Sequence, residues 1–169
     1  MISRPEELDG YDRYIIPGVG HAGAAMEKLK LSGLAESIKD IKLPVLGICV
    51  GMQLLTSFSE EGNSTLSGIF PLKTLHFDVN SNLKIPHTGW NKVFSDHGNP
   101  LFNKINEEEY FYFVHSFFIE FNSKFTVASA EYGTKFSAVI QKDNFYGMQF
   151  HPEKSGSAGE QLLLNFSLF

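Results

Sequence analysis

The sequence predicts an α/β fold, with a mixed, mainly parallel sheet flanked by helices and an additional antiparallel, strand-rich part. The first third of the chain alternates short apolar runs with segments of helical spacing, which is typical of a parallel sheet covered by helices. From residue 66 onward, β-branched and aromatic segments separated by turn residues indicate further strands. The length of 169 residues suits one ordinary domain. We therefore predict that residues 1–169 form a single domain.

Two buried strands and the helices between them account for the first third. Residues 14–16 form a short apolar run that ends in the glycine-rich turn 17–20. Residues 43–48 form a second run, bounded by Pro and Gly and too short for a helix, which predicts a buried parallel strand. Between them, residues 21–40 carry apolar side chains at helical spacing, which predicts one or two helices. A further helix is predicted over residues 51–58.

Strands dominate the remainder, and a helix closes the chain. The β-branched and aromatic segments that predict strands are 74–79, 110–114 and 125–129. Segments 137–141 and 145–150 predict a hairpin that turns at 142–144. Residues 159–169 predict the closing helix.

The start of the chain departs from the usual order of an open α/β domain. Such domains begin with a strand and a helix that pack centrally, whereas this chain begins with a polar, turn-like stretch and reaches its first strand near residue 14. We therefore expect a domain that is truncated at its N-terminus and lacks an initial strand–helix pair. A sheet edge left bare in this way invites pairing with another chain.

Composition and charge exclude several classes of function. The formal net charge is −5, and no basic run exceeds two residues, which opposes binding of nucleic acid. No stretch approaches the roughly 20 apolar residues that span a bilayer, and the N-terminus has no apolar signal core, so we expect a cytoplasmic protein without a membrane partner. The single cysteine and the absence of histidines at ligand spacing predict no metal site, and no nucleotide cofactor is implied.

A candidate nucleophile lies in the segment 47–51, Gly-Ile-Cys-Val-Gly, which follows a predicted strand and opens a predicted helix. This is the pattern of a nucleophile elbow, with Cys49 in the place of serine. The flanking glycines suit a tight turn, and the start of the helix favours the thiolate. The backbone N–H of Val50 is then placed to stabilise an oxyanion. A glycine-rich turn with an incidental cysteine is the alternative interpretation.

A thiol nucleophile needs a base, and His151 is the strongest candidate among the histidines. It ends an apolar strand, and Glu153 follows two residues later, so that in extended chain the carboxylate can sit beside the ring and orient it. Cys49 and His151 both follow strands, and sites in such sheets lie at the carboxyl ends of strands. A solvent-exposed His and Glu at a strand end is the alternative. The other histidines are His21, His76, His87, His97 and His115.

The turn after the first predicted strand offers a second oxyanion donor. Gly18, Val19 and Gly20 have a flexible backbone whose N–H groups could face a substrate. As a phosphate-binding loop the turn is poor, because it lacks the glycine spacing and the Lys-Ser/Thr pair. An ordinary tight turn is the alternative interpretation.

Taken together, these segments resemble the class-I glutamine amidotransferases, which have a flavodoxin-like fold. The segments that carry the resemblance are 16–20, 46–55, 85–91, 112–116 and 147–155. The cysteine elbow and the His-Pro-Glu segment mark the wider class. Pro-His-Thr-Gly-Trp-Asn at 86–91 and Phe-Val-His-Ser at 113–116 are similar to the glutaminase subunits of imidazole glycerol phosphate synthase, which belongs to histidine biosynthesis.

The resemblance implies a Cys-His-Glu triad that hydrolyses glutamine to glutamate and ammonia. It implies that Cys49 attacks the side-chain amide to form a glutamyl thioester, that His151 is the base and then protonates the departing ammonia, and that Glu153 holds His151. The implied oxyanion hole consists of Gly18, Val19, Gly20 and Val50. The implied glutamine-binding residues are Gln53 and the backbone around His115, Ser116 and Phe117.

The same resemblance implies a heterodimer with a (β/α)8-barrel cyclase, which receives the ammonia and forms imidazole glycerol phosphate. The residues implied to lie toward this partner are Trp90, Asn91, Tyr112 and Lys154. Core packing is the alternative for Trp90 and Tyr112, and a solvated surface position is the alternative for Lys154.

Other functions stay open at this stage. The chain could supply ammonia to another acceptor, such as a surface-sugar precursor, because the glutaminase side would look the same. Judged against the family, a strand, a loop and a helix are absent from the N-terminus, which would suit an inactive binding or regulatory subunit. A cysteine hydrolase of peptides is disfavoured by Gln53 and by the partner-facing segments.

Overall fold

The chain alternates strand and helix as far as residue 54 and is then mostly strand until its closing helix. The structure, a computed structural model, describes residues 2–80, 82–95 and 98–169. The helices are α1 (Ala22–Leu31), α2 (Leu34–Asp40), α3 (Val50–Leu54) and α4 (Gly156–Phe166). The strands are β1 (Tyr14–Gly18), β2 (Val45–Cys49), β3 (Phe58–Ser59), β4 (Ser64–Thr65), β5 (Lys73–His76), β6 (His87–Ser95), β7 (Glu108–His115), β8 (Phe117–Glu120), β9 (Thr126–Tyr132), β10 (Thr134–Lys142) and β11 (Phe145–Met148).

One mixed sheet joins the described strands in the order β1-β2-β11-β10-β8-β5-β3-β4, with β9 paired to β10 and the β6–β7 hairpin paired to β9. β1, β2 and β11 are parallel, and antiparallel pairing begins at β10. The mixed α/β sheet predicted from the sequence is confirmed. Gly18 pairs with Cys49 and Ile48 pairs with Met148, so three carboxyl ends lie side by side at one edge of the sheet. Sites in sheets of this kind form at that edge.

Helices cover both faces of the parallel strands. β2 is buried along its whole length, and its successive side chains pack in opposite directions because a strand alternates between faces. Val45 packs with Leu34 and Ile38 of α2, whereas Leu46 belongs to the cluster that contains Phe166 of α4. The continuous apolar run in the sequence is therefore explained by burial on both sides.

Phenylalanine fills the core beneath the antiparallel strands. Most of the 16 phenylalanines are buried. The ring of Phe136 meets Phe77 and Phe113 edge to face, with centroid distances of 6.0 and 5.9 Å. Edge-to-face pairs place the positive rim of one ring against the negative face of the other, which adds to the gain from burial.

The helix predicted over residues 51–58 is too long, because α3 ends at Leu54. Beyond it the sheet takes up the chain. The N–H of Ser57 donates to the carbonyl of Leu72 at 3.0 Å, and Phe58 begins β3, which pairs with β5. Leu and Phe side chains suit either kind of element, so the apolar pattern alone placed the boundary too late.

Strand β1 forms one end of the sheet. Among the strands that the structure describes, it pairs with β2 alone. Ile15, the second residue of the strand, is half-exposed. The outer edge of β1 thus presents backbone groups to which another strand could bind. The N-terminal truncation stays a prediction.

Candidate active site

Cys49 lies on a strained turn between β2 and α3. It is the last residue of the strand and directly precedes Val50, the first residue of the helix. Its φ of 54° and ψ of −111° are unusual for a residue with a side chain, and such a conformation costs about 1–3 kcal/mol. The thiol is buried and lines a pocket. This is the geometry of a nucleophile elbow.

Three glycines permit this turn because a side chain at any of them would collide with backbone. A Cβ atom on Gly51 would lie 1.8 Å from the carbonyl oxygen of Ile16. One on Gly47 would lie 2.5 Å from the carbonyl oxygen of Gly51, and one on Gly18 would lie 2.7 Å from the Gly51 nitrogen. At these three positions the backbones of β1, β2 and α3 therefore approach each other directly. Their close approach brings the turn after β1 beside Cys49.

His151 has one ring nitrogen bound and the other free. Nδ1 lies 2.7 Å from Oε1 of Glu153, and because an ionised carboxylate only accepts, Nδ1 carries the proton. The lone pair is then on Nε2, which is buried and has no hydrogen-bond partner among the described residues. The ring lines the same pocket as Cys49. His151 can therefore accept the proton of a thiol in this pocket.

Hydrogen bonds to β7 fix the loop that carries His151. The loop follows β11, and the His151 N–H donates to the Tyr112 carbonyl at 2.9 Å. The Ser155 hydroxyl donates to the His151 carbonyl at 2.6 Å and accepts from the Tyr112 N–H at 3.0 Å. Between these anchors, the turn Pro152–Lys154 returns Glu153 to the imidazole.

Burial keeps the resting thiol protonated. Desolvation, with smaller contributions from two nearby carboxylates, raises the pKa of Cys49 to about 11, while hydrogen bonds from the Val50 N–H and the Gln149 amide oppose this rise. The thiol donates to the Val114 carbonyl at 3.9 Å. At neutral pH the sulfur therefore becomes a good nucleophile only as its proton leaves for a base, and His151, which lines the same pocket, has a ring nitrogen that can accept it.

The pocket at Cys49 has a volume of about 360 Å³, which is at the small end of the range for ligand-binding sites. The predicted site residues that line it are Val19, Gly20, Cys49, Val50, Gln53, His115, Ser116, Phe117 and His151. Gly18 is outside the lining and pairs with Cys49 across β1 and β2, and Glu153 stands behind His151. The structure thus brings together residues from opposite ends of the chain.

Glu61 is a pocket residue that the sequence analysis missed. It begins a 3-10 turn, and its Oε2 accepts a hydrogen bond from the Ala22 N–H at the start of α1, at 2.5 Å. Its carboxylate gives the pocket a negative group suited to an ammonium ion. No spacing rule marks this position, because a Glu-Glu-Gly stretch has the composition of a solvated turn.

Gln149 is a second residue that the sequence analysis did not assign. Its side chain is fully buried, and Nε2 lies 3.7 Å from the sulfur of Cys49. A signal for it was present, because residues two apart on extended chain face the same way and Gln149 comes two before His151. The sequence analysis applied this spacing from His151 forward to Glu153 and not back to Gln149.

His87 and His115 form a buried, neutral pair beside the pocket. Nδ1 of His115 donates to the Phe117 carbonyl at 2.7 Å, and Nδ1 of His87 donates to Nε2 of His115 at 2.9 Å. These directions follow from the carbonyl, which only accepts. Burial lowers the pKa of His87 to about 4 and that of His115 to about 3. The pair therefore holds the segment 115–117 in place and does not act as a base.

Two of the remaining histidines have contacts with backbone atoms. His21 caps α1, and His76 contacts the carbonyl of its neighbour, whereas His97 lies outside the described residues.

Three of the four residues implied to face a partner lie together, two on the β6–β7 hairpin and one on the turn Pro152–Lys154. Trp90 and Tyr112 are paired across the two strands, the indole is 57% exposed, and the ring centroids are 6.2 Å apart. Nζ of Lys154 lies 6.0 Å from the centroid of Tyr112. Asn91 points to the opposite face, where its amide donates to the Glu131 carbonyl at 2.9 Å. We call Trp90, Tyr112 and Lys154 the aromatic surface.

Within the described ranges the chain has neither a metal-binding cluster nor a membrane-spanning helix. No group of three or more His, Cys, Asp or Glu side chains there could hold a metal ion. No helix in the same ranges is long and apolar enough to cross a membrane.

Comparison with known proteins gives consistent matches over nearly the whole chain. The sequence profile of the family Glutamine amidotransferase class-I matches residues 2–169. The imidazole glycerol phosphate synthase subunit HisH of Buchnera aphidicola subsp. Schizaphis graminum is 51% identical over 156 residues, 91% of this chain and 78% of the relative. The subunit of the same name from Pasteurella multocida is 51% identical over 161 residues, with coverages of 95% and 80%.

A solved structure resembles the chain in fold. PurLQS from Thermotoga maritima superimposes with a TM-score of 0.67 at 20% sequence identity, covering 95% of this chain and 81% of that chain. At this identity the likeness concerns the fold alone.

Proposed function

The chain belongs to the class-I glutamine amidotransferase family, and from that membership we infer that its pocket is a glutaminase site. Identities of 51% to imidazole glycerol phosphate synthase subunits assign it as the glutaminase subunit of that synthase, in histidine biosynthesis. The reaction at the pocket is hydrolysis of glutamine to glutamate and ammonia. One observation carries the chemical proposal: a cysteine on a strained elbow shares its pocket with an imidazole whose Nε2 has no hydrogen-bond partner in the described part of the chain.

In the proposed reaction Cys49 is the nucleophile and His151 the base. The thiol proton passes to Nε2 of His151 while the sulfur attacks the carbonyl carbon of the glutamine side chain. Glu153 keeps the proton on Nδ1 and stabilises the imidazolium that forms. The imidazolium gives its proton to the leaving nitrogen, which departs as ammonia. Water then hydrolyses the glutamyl thioester, with His151 again as the base.

Backbone N–H groups supply the oxyanion hole in this proposal. The N–H of Val50 is at the first position of α3, where it has no partner within the helix. Val19 and Gly20 line the pocket from the turn after β1, and the pairing of Gly18 with Cys49 sets their distance from the sulfur. A single donor of this kind contributes about 10²–10³ in rate.

Glutamine binding uses both charged and neutral groups. The Glu61 carboxylate suits the α-ammonium group of the amino acid. Both Nε2 hydrogens of Gln53 are used within the protein, on the Phe117 carbonyl and on Gln149, so Gln53 offers its carbonyl oxygen to the substrate. The backbone of segment 115–117 borders the same space.

The proposed partner is a (β/α)8-barrel cyclase that binds the aromatic surface to form a heterodimer in the cytoplasm. Exposed aromatic residues are favoured anchors of interfaces. Val114 supports this location, because it lines the pocket, is 37% exposed, and is two residues from Tyr112 on the same face of β7. The surface therefore continues to the rim of the pocket, and ammonia could pass to the partner without release into water. Asn91 lies on the opposite face of β6 and supports the aromatic surface indirectly, because its amide contacts the Glu131 carbonyl and Nε2 of His87.

Covalent labelling of Cys49 tests the glutaminase proposal. The chain would be treated with the glutamine-analogue electrophile 6-diazo-5-oxo-L-norleucine, with and without the cyclase, and analysed by intact mass. Because Cys49 is the single cysteine, a mass increase of one adduct that is lost in Cys49→Ser locates the reaction. We expect labelling that is accelerated by the cyclase.

The other outcomes separate the alternatives. A folded chain that is not labelled in either condition contradicts catalysis and favours an inactive binding or regulatory subunit. Labelling without any response to the cyclase, and with no imidazole glycerol phosphate formed in the mixture, favours an amidotransferase for another acceptor.

A further inference from the structure

Gln149 occupies an enclosed position between Cys49 and Gln53. Its side chain is fully buried. Nε2 lies 3.7 Å from the Cys49 sulfur, and Oε1 lies 3.1 Å from Nε2 of Gln53. Gln149 is not part of the pocket lining. It therefore contacts the reacting sulfur from behind, away from the space available to a substrate.

The orientation of this amide follows from a backbone carbonyl. The carbonyl oxygen of Phe117 can only accept, and Nε2 of Gln53 donates to it at 3.2 Å. The other hydrogen of that nitrogen points to Oε1 of Gln149. The nitrogen of Gln149 must then be the atom on the sulfur side. A chain of two amides thus delivers an N–H group to Cys49.

The surroundings of the sulfur give this N–H a chemical task. Removal of the thiol proton leaves a negative charge in a buried site, close enough to the Glu153 and Glu61 carboxylates for both to disfavour it. The Val114 carbonyl accepts from the thiol and so stabilises only the protonated form. The opposing donors are the Val50 N–H and the Gln149 amide. A donor to an ionised atom is roughly twice as strong as a neutral hydrogen bond.

We propose that Gln149 is a catalytic residue, which stabilises the Cys49 thiolate through its Nε2–H group as the proton leaves. In this step the S–H bond breaks, the proton binds Nε2 of His151, and the electron pair stays on the sulfur. Gln53 is the positioning residue, because its hydrogen bond to the Phe117 carbonyl sets which end of the Gln149 amide faces the sulfur. The inference rests on the proposed function of Cys49 as the nucleophile.

The test measures the reactivity of Cys49 without glutamine or a partner. Gln149→Met keeps the length and most of the volume of the side chain but removes the donor. The alkylation rate with iodoacetamide would be followed by intact mass at about pH 8, where the rate depends on the thiolate fraction. Gln141→Met is the matched control, because Gln141 is a partly buried glutamine that contacts Asn99 and Tyr146 and is not in the pocket lining.

We expect alkylation of Gln149→Met to be about threefold slower than that of the parent. Loss of the donor should raise the thiol pKa by about one unit, which means about tenfold less thiolate. The more basic sulfur regains about threefold through its greater nucleophilicity. Gln141→Met should react like the parent. In the glutaminase reaction with the cyclase, kcat should fall while KM changes less than about twofold, because the contact is to the nucleophile rather than to the substrate.

A folded Gln149→Met protein that is alkylated at the parent rate would overturn the proposal. If thermal melting shows that this variant is unfolded, Gln149→Asn replaces it, because the shorter amide keeps the polarity but withdraws its N–H from the sulfur. A parent-like rate there has the same meaning. The outcome is independent of the glutaminase proposal, which the labelling of the parent chain by the glutamine analogue tests separately.

Discussion

Burial and nucleophilicity make opposite demands on the sulfur of Cys49. Desolvation raises the pKa of the thiol to about 11, so the free thiolate is rare at neutral pH. His151 resolves the conflict if it accepts the proton during the attack, and this requires that Nε2 be unprotonated. In the neutral ring, the hydrogen bond from Nδ1 to Glu153 selects the tautomer whose lone pair is on Nε2. The carboxylate therefore acts on the sulfur through the imidazole.

Substitution of Glu153 tests this chain of effects. In Glu153→Gln the amide can donate to Nδ1, which favours the tautomer with its proton on Nε2, the wrong state for a base. We expect kcat for glutamine hydrolysis in the presence of the cyclase to fall on the order of 10²-fold, with little change in KM. Steady-state measurement of glutamate release checks this. The paired variant Glu160→Gln on α4 should be fully active, and a Glu153→Gln protein within about twofold of the parent would contradict the assigned role.

The buried histidine pair predicts how stability depends on pH. His87 and His115 have folded-state pKa values of about 4 and about 3, below the ordinary value of 6.5. At a pH between the folded-state and the ordinary pKa values, the unfolded state therefore binds more protons than the folded state. The free energy of unfolding falls as the pH is lowered through this interval. Between about pH 7 and pH 5 we expect a loss on the order of 3 kcal/mol for the pair. Urea unfolding at the two pH values measures it.

A variant separates the pair from other titrating groups. His87→Phe keeps a ring to stack against Tyr132, whose centroid is 4.1 Å from that of His87, but it no longer titrates. Its unfolding free energy should depend on pH about half as steeply over the same interval. An unchanged dependence would show that the pair is not responsible.

At the residue scale, the sequence predicted those site residues that are indicated by their neighbours in the chain. The glycines on either side of Cys49 mark it as a nucleophile, and the spacing of two residues suggests that Glu153 orients His151. Both proposals need only neighbouring residues in the sequence. Glu61 and Gln149 reach the site only through folding. Nothing in a turn or a strand indicates which buried polar atom a distant sulfur will meet.

Among the elements, the elbow between β2 and α3 depends on tight backbone contact. Gly51→Ala would place a Cβ atom 1.8 Å from the carbonyl oxygen of Ile16, so β1 and α3 would have to separate. We expect the free energy of unfolding to fall by about 3 kcal/mol or more, with loss of labelling at Cys49. Chemical denaturation and labelling by the glutamine analogue measure the two effects.

Gly68→Ala is the matched control for backbone strain. Gly68 has a φ of +74° but no atom within 4 Å of an added Cβ. The cost should be about 1 kcal/mol, from the left-handed backbone alone, and labelling should persist. Equal destabilisation by the two alanines would mean that close packing does not hold the elbow.

The elements that the sequence predicted well are those with one clear pattern. β2 is apolar throughout because both its faces are buried. The predicted hairpin is present as β10 and β11, but Lys142 pairs with Phe145, so the turn is at residues 143–144 and is one residue shorter than predicted. β6 was not predicted, because Gly89 and several polar residues break its alternation. Its outer face is exposed and its partners, β7 and β9, come later in the chain. Pairing across the sheet, rather than local preference, makes it a strand.

For the molecule as a whole, the aromatic surface predicts the position of the partner. Trp90 is 57% exposed, so its removal should leave the fold intact. We expect Trp90→Ala to weaken binding of the cyclase by about 2 kcal/mol, or about 30-fold in Kd. Titration calorimetry measures the affinity. Leu164→Ala, at an exposed leucine of α4 that is not part of the aromatic surface, should bind like the parent, and equal affinities of both variants would refute the location.

The overall architecture was the most predictable level, because fold class depends on the order of patterns and not on single residues. The strand–helix alternation before residue 54 indicated the parallel strands, and the later strand-rich texture indicated the antiparallel part. Such patterns do not predict the order of the strands in the sheet. β11 comes last among the strands yet pairs beside β2, and this long-range pairing is what brings His151 to Cys49.

The three glycines at the elbow also restrict how this protein can diverge. Gly18, Gly47 and Gly51 lie on different elements, but each fills its space with backbone that the others approach. A substitution at one cannot be compensated at another, because the atom nearest to each added Cβ would belong to the main chain, which cannot be made smaller. We therefore expect active variants selected from random mutagenesis to keep all three glycines. Altered catalytic rates must then arise from the exchangeable side chains around the sulfur.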